Sequence, residues 1–299
     1  MKVFRTLPCA LLSLLVPLAG MRAANAAGDS SLAAALDFQA TGDFAAAALD
    51  YRRAAAEEDS AETRAHLYLA AAEAYRRTGR YDRMAKMLDR VDEEVAEDDA
   101  AVEIPLAWLR MAHDEARGDW PSAQLRAESF LDRDGADASS GAGLPFLRHA
   151  AANALRAGDY PAARRHAAAL PDAAALESID RHAAGRNRSP RLGGLLGLVP
   201  GMGYAYSGEW GNMARSLLLN GLFGWAMVET ASRDQWALFS AAAFFELTWY
   251  TGSIYGGIDA AHRANRDRLD AAAADVLGPD EPEIRPSPGI GLFRIDLAF

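Results

Sequence analysis

A three-residue phrase, glycine then any residue then an aromatic, recurs four times and constrains this chain more than any other feature. It reads Gly42-Asp43-Phe44, Gly79-Arg80-Tyr81, Gly118-Asp119-Trp120 and Gly158-Asp159-Tyr160. The glycines stand 37, 39 and 40 residues apart, a period in the range of helical-repeat proteins. Each glycine closes an alanine-rich stretch and each ring opens another. Glycine enters the left-handed conformation at a helix end without a Cβ penalty. The phrase therefore predicts helical hairpins, with the glycine at the turn and the ring packed back between the paired helices. Ala47, Met84, Ala123 and Ala163 follow the ring by three positions, and Ala35, Ala72, Met111 and Ala151 precede the glycine by seven. Side chains of this kind let two helices cross closely. Because alanine loses no side-chain entropy in a helix, the expected fold class is all-α.

Over roughly residues 31–170 this pattern resembles the tetratricopeptide repeat family, whose unit is a helix-turn-helix of about 34 residues. The present periods are longer. The aromatic expected four residues before the glycine is present as Phe38 and Tyr75 but replaced by Asp114 and Ala154. The expectation is thus a degenerate tetratricopeptide-like solenoid, with residues 172–184 as a helix capping the last hairpin. The resemblance implies a concave face that binds a protein or peptide; a spacer or a dimerisation surface is the alternative. Glu57, Glu58, Asp59, the run Asp92-Glu93-Glu94 and Asp98-Asp99 are expected in solvated loops between repeats.

Residues 1–26 have the three parts of a secretory signal. Lys2 and Arg5 are basic, Cys9 to Gly20 is apolar, and Ala24-Asn25-Ala26 is a small-x-small cleavage site. Translocation places the following chain in the bacterial cell envelope, with a periplasmic repeat domain over residues 27–185. Cys9 is the only cysteine, so the processed chain has no thiol for a disulfide, a nucleophile or a metal site. A net charge of -10 argues against a nucleic-acid partner, which calls for a basic face.

From Leu192 to Ala261 only Glu209, Arg215, Glu229, Arg233, Asp234, Glu246 and Asp259 are charged. Ser216 to Ala231 and Gln235 to Tyr255 approach the length of about 20 residues that a bilayer span takes. Ser232-Arg233-Asp234 links them tightly, so residues 186–262 are predicted to form a transmembrane helical hairpin. Trp210, Trp225, Trp236, Trp249 and Tyr250 are candidates for interfacial belts. The arginines at 186, 188, 191, 263, 266 and 268 flank this region and leave the side of the C-terminus open.

Before the hairpin, Pro200-Gly201-Met202-Gly203-Tyr204-Ala205-Tyr206-Ser207-Gly208 interrupts the helix, as expected of a short re-entrant or interfacial piece. This Pro-Gly-x-Gly-x-x-Tyr-x-Gly motif, followed by two hydrophobic helices, resembles the small bacterial two-transmembrane-helix domain family. The whole arrangement is similar to a family of exported repeat proteins in which an Asn, a Glu and a Tyr-Gly-x-Ile-Tyr-Gly motif recur in the two helices. The matching residues are Asn220, Glu246, and Tyr250, Gly252, Tyr255 and Gly256. That family brings no biochemical activity with it. Asn220, Glu229 and Glu246 are costly in lipid and are expected to face one another or a partner, either as polar glue or as an ion or proton site.

Residues 263–299 form the tail. The proline-rich stretch 278–290 is expected to be extended. Phe293, Ile295, Leu297 and Phe299 alternate as in a strand, expected to pair with a partner's edge. The histidines at 66, 113, 149, 166, 182 and 262 lack paired-ligand spacing and read as surface or inter-helix residues. No catalytic, cofactor or metal constellation is legible. The expected role is a non-enzymatic, membrane-anchored scaffold that binds an envelope protein or peptide and membrane lipid, with homo-oligomerisation open. The alternative is a small oligomeric channel or transport component built from the C-terminal hairpin.

Overall fold

The computed structural model describes residues 26–94, 100–133, 143–278, 283–286 and 293–296. The expected signal segment lies outside these except for Ala26, and so do Asp98 and Asp99. The described residues form thirteen helices and one strand pair, so the fold is all-α but for that pair. The chain divides into two units, residues 1–153 with 279–299 and residues 154–278.

The first unit holds α1 (Ala26–Ala40), α2 (Phe44–Glu57), α3 (Ala61–Arg77), α4 (Tyr81–Glu94), α5 (Ala100–Ala116), α6 (Trp120–Arg133) and most of α7 (Gly143–Ala157). From α1 to α6 each helix packs on the next, and α3 also touches α5. The pattern of α4 shows why. Met84, Met87, Leu88 and Val91, spaced one helical turn apart, are its buried residues, while the charged positions between them face out. All eight flanking positions read from the sequence, Ala35, Ala47, Ala72, Met84, Met111, Ala123, Ala151 and Ala163, have no exposed surface. Tyr51, Leu69, Tyr75 and Leu109 fill the largest part of the core, and the Tyr51 hydroxyl donates to Gln39 Oε1 at 2.7 Å.

The turn rings depart from expectation. Phe44 and Tyr81 are only partly buried against the core, Trp120 is half-buried, and Tyr160 is exposed. A ring on the first residue of a helix sits at the rim of the interface; the central places go to Tyr51 and Tyr75, one and more turns further in. The acidic runs also differ. Glu57 and Asp59 are exposed, but Glu94 belongs to α4 and accepts from Arg64 Nη2 at 2.6 Å. Arg64 also donates to the carbonyls of Glu58 and Asp59, which ties the two turns together and holds the Glu94 carboxyl below the usual carboxylate range.

The second unit holds α8 (Tyr160–Ala168), α9 (Ala174–Ala184), α10 (Pro190–Leu196), α11 (Met202–Ser207), α12 (Trp210–Ser232) and α13 (Trp236–Leu277). Helix α9, close to the expected capping helix, packs on α8 and on α13; α10, α11 and α12 also pack on α13. The expected boundary at 262/263 falls inside α13, which is 42 residues long. Nothing in its second half breaks a helix until Gly278, where φ turns to +76°.

The two hydrophobic helices form the expected hairpin, with the chain reversing at Asp234, whose φ is +57°. The prediction that they span a bilayer is corrected: among the described residues no helix is long and apolar enough to cross a membrane. Arg215, Asn220 and Glu229 in α12 and Glu246 in α13 dilute the apolar stretches at intervals shorter than a span. The tail is corrected too. β1 (Glu283–Pro286) pairs antiparallel with β2 (Phe293–Asp296), Ile284 opposite Ile295, so the predicted strand finds its partner within the chain.

Candidate functional site

The four turns share one construction. Gly42, Gly79, Gly118 and Gly158 have φ between +68° and +82°. The amide of the following residue donates to the carbonyl of Phe38, Tyr75, Asp114 or Ala154 at 2.8–2.9 Å, closing the preceding helix in a Schellman motif. That bond uses only backbone, which is why replacing the aromatic by Asp114 and Ala154 leaves the turn intact. Asp43, Asp119 and Asp159 then cap the next helix, accepting from the amides of Ala46, Ser122 and Ala162 at 3.1–3.3 Å. Arg80 interrupts this series. The capping role of the aspartates was legible in principle, since each immediately precedes a helix start.

Two features of the first unit offer themselves to ligands. A groove of about 420 Å³ runs between α5 and α6, lined by Leu106, Ala107, Leu125 and Phe130 with Arg110 and Arg126. Both arginines are held by carboxylates, Arg110 by Asp92 and Arg126 by Asp114 at 2.5 Å, and Glu103, Ser122 and Ser129 complete a lining of mixed apolar and polar character. Beneath the hairpin, Glu115 Oε1 accepts from Asn153 Nδ2 at 2.6 Å and pairs with His149 Nδ1 at 2.7 Å. The His149 ring meets Trp108 edge-on with centroids 4.7 Å apart. Residues 115 and 149 are too far apart in sequence for spacing to reveal this cluster. His66, His149 and His182 are buried, and among the described residues no group of potential metal ligands comes together.

In the second unit the Pro-Gly motif proves to be a packing device. Gly201 (φ +85°) starts α11 and Gly208 (φ +87°) ends it, with Pro200 in the turn before. A Cβ on Gly203 would stand 2.5 Å from the Gly193 carbonyl oxygen and 2.7 Å from Gly257 Cα, so three glycines let α10, α11 and α13 meet backbone to backbone. Gly256 makes room for the Tyr204 ring. Hydrogen bonds lock the junction. Ser189 N donates to the Tyr206 hydroxyl oxygen at 3.0 Å, Gly201 N to Ser253 Oγ at 3.0 Å, and Tyr250 Oη to the Leu198 carbonyl at 3.1 Å. Arg263 grips Glu209 through two bonds of 2.9 Å. Gly252 has open space around it and Tyr255 is exposed; the packing explains neither.

The polar residues of the hairpin separate into two kinds. Glu229 pairs with Arg233 at the tip and so leaves the expected trio. Asn220 Nδ2 donates to the Ser216 carbonyl at 2.7 Å, but Asn220 Oδ1 and Glu246 Oε2 are buried without a hydrogen-bond partner. Around them the apolar side chains face outward. Leu218 is 71% exposed, Val228 70% and Phe244 68%, with Leu217, Leu222, Trp225, Leu238, Phe245, Leu247 and Trp249 also exposed. At 100° per residue the exposed apolar positions of α12 cover an arc of about 140°, and those of α13 an arc of about 220°. Leu195, Leu198, Val199 and Met202 continue this surface at the junction.

Comparison with family models, curated proteins and solved structures finds no match.

Proposed function

We propose that the chain is a non-enzymatic interaction scaffold of the bacterial cell envelope, exported by residues 1–26 and held against a membrane by the α12/α13 hairpin. Its helical hairpins act as a degenerate tetratricopeptide-like solenoid that binds an envelope protein or peptide, and the α5/α6 groove suits an apolar side chain of such a partner. The observation that carries the reading is the outward-facing apolar surface of α12 and α13. Monomeric soluble proteins rarely expose contiguous apolar patches beyond a few hundred Å². A surface that covers more than half the circumference of α13 and one face of α12 favours a solvent of acyl chains over a single flat docking partner.

The test is flotation of the purified full chain on lipid vesicles. The expected result is that it rises with the vesicles, and that the double variant Leu218→Asn, Phe244→Asn stays in the dense fraction. A wild-type chain that remains monomeric in the dense fraction sinks the reading.

A channel or transport component is the second reading, favoured by the unpartnered Asn220 Oδ1 and Glu246 Oε2 inside the hairpin. It calls for proton flux across liposomes that Glu246→Gln abolishes. The shortness of the apolar stretches weighs against it.

A further inference from the structure

We propose that the base of the α12/α13 hairpin is a recognition collar for anionic phospholipid headgroups; the proposal rests on the lipid attachment put forward above. The two ends of the hairpin differ in charge. At the tip, Arg233 is occupied by Glu229, and Asp234 adds an exposed carboxylate. The base is built from the segment 186–191 laid beside residues 263–268. Arg188 N donates to Asn265 Oδ1 at 2.7 Å, Asn265 Nδ2 returns a bond to the Arg188 carbonyl at 2.9 Å, and Arg268 Nη1 donates to the His182 carbonyl at 3.0 Å. This end of the unit holds seven arginines, six in the paired segments at 186, 188, 191, 263, 266 and 268 and Arg215 on α12, against four carboxylates, Glu209, Asp259, Asp267 and Asp270.

The seven are not equivalent. Arg263 is taken by Glu209, Arg268 by the His182 carbonyl and Asn187, and Arg188 lies over the Tyr206 ring at 5.2 Å. Arg186, Arg191, Arg215 and Arg266 are exposed and make no hydrogen bond or ion pair among the described residues. Arg215 stands about 9 Å along α12 from Glu209, one turn before the exposed Leu218 on nearly the same face. Free guanidinium groups therefore border apolar surface at one end of the hairpin, in a chain whose net charge is -10. A guanidinium matches a phosphodiester oxygen pair in shape and charge, and acyl chains beside it satisfy the leucines. A phospholipid surface is the partner that offers both together.

Binding of the full chain to phosphatidylcholine vesicles is compared with binding to vesicles in which about a third of the lipid is phosphatidylglycerol. Each basic residue at an anionic surface contributes about fivefold, so with four free arginines the acidic vesicles are expected to bind tighter by about several hundredfold. The quadruple variant Arg186→Gln, Arg191→Gln, Arg215→Gln, Arg266→Gln is expected to lose that increment while keeping wild-type affinity for phosphatidylcholine. As a check that needs no variant, 0.5 M salt is expected to remove the increment from the wild-type chain by screening. Equal affinity of the wild type for both vesicles, or an increment that survives the substitutions, overturns the collar. Absence of binding to either vesicle overturns the attachment beneath it.

Discussion

The α3/α4 hairpin and the α12/α13 hairpin are the same structural element with opposite treatment of their apolar side chains. In α3 and α4, Leu67, Leu69, Tyr75, Met84, Leu88 and Val91 are buried and arginines and carboxylates form the rim. In α12 and α13 the buried residues include Ser216, Asn220 and Ser253, and Phe223 stacks on Phe245 across the hairpin, while Leu218, Val228, Phe244 and the tryptophans face outward. Water alone accounts for the first arrangement, because hiding apolar area and solvating charge both lower the free energy. The second inverts that rule over a long stretch. The lipid attachment proposed above accounts for this arrangement, because apolar surroundings make outward leucine and tryptophan side chains favourable.

Paired substitutions break or sharpen this contrast. Leu69→Ala, in a position with no exposed surface, is expected to cost about 3 kcal/mol through lost transfer energy and a cavity. Leu218→Ala is expected to change stability in aqueous solution by less than about 0.5 kcal/mol. Denaturant titration of both variants checks the pair; equal losses would remove the distinction between the hairpins.

Next comes the use of glycine. Gly203→Ala drives a Cβ into two backbones and is expected to cost about 2 kcal/mol. Gly79→Ala meets open space and bears only the left-handed backbone, about 1 kcal/mol. A D-alanine at position 79, introduced by semisynthesis, is expected to restore stability there, because that conformation is natural to it. At position 203 it would not help, since Gly203 lies inside right-handed α11, a conformation that a D residue disfavours.

The smallest effect is on pH dependence. His182 is buried in the second unit, stacked on Tyr160 with ring centroids 6.2 Å apart and with Nδ1 unpartnered. Burial, and then the nearby Arg268 charge, lower its pKa from 6.5. A depressed histidine pKa means that the unfolded chain binds the proton first, so stability falls as pH drops through about 6.5. Thermal melts at pH 7.5 and 5.5 are expected to show a smaller acid loss for His182→Gln than for the wild type. An equal loss would place the acid sensitivity elsewhere.

Local chemistry was legible in the sequence. Only glycine enters the left-handed turn freely, so Gly42, Gly79, Gly118 and Gly158 announce the hairpins, and the Arg233-Asp234 reversal announces the last one. What depends on contacts across the chain was not legible. Gly193, Gly203 and Gly257 matter because their backbones meet, although more than fifty residues separate Gly203 from Gly257. Glu209 reads as an isolated charge until Arg263 is seen beside it. The length of α13 escaped because a change from apolar to charged residues near Ala261 resembles a boundary, yet no backbone signal stops the helix before Gly278. The separation of Glu229 from Asn220 and Glu246 follows from its helical spacing to Arg233, a pairing at i and i+4 that takes precedence over long-range polar contacts.

The central claim is that the exposed apolar faces of α12 and α13 lie against lipid, and tryptophan quenching by brominated acyl chains reads it directly. Four of the six tryptophans, at 210, 225, 236 and 249, lie on this hairpin, and Trp225 and Trp249 are exposed on its sides. With Trp108, Trp120, Trp210 and Trp236 replaced by phenylalanine, the remaining emission at 225 and 249 is expected to shift to the blue and to be strongly quenched in brominated vesicles. Emission that stays red and unquenched at saturating lipid would contradict the account.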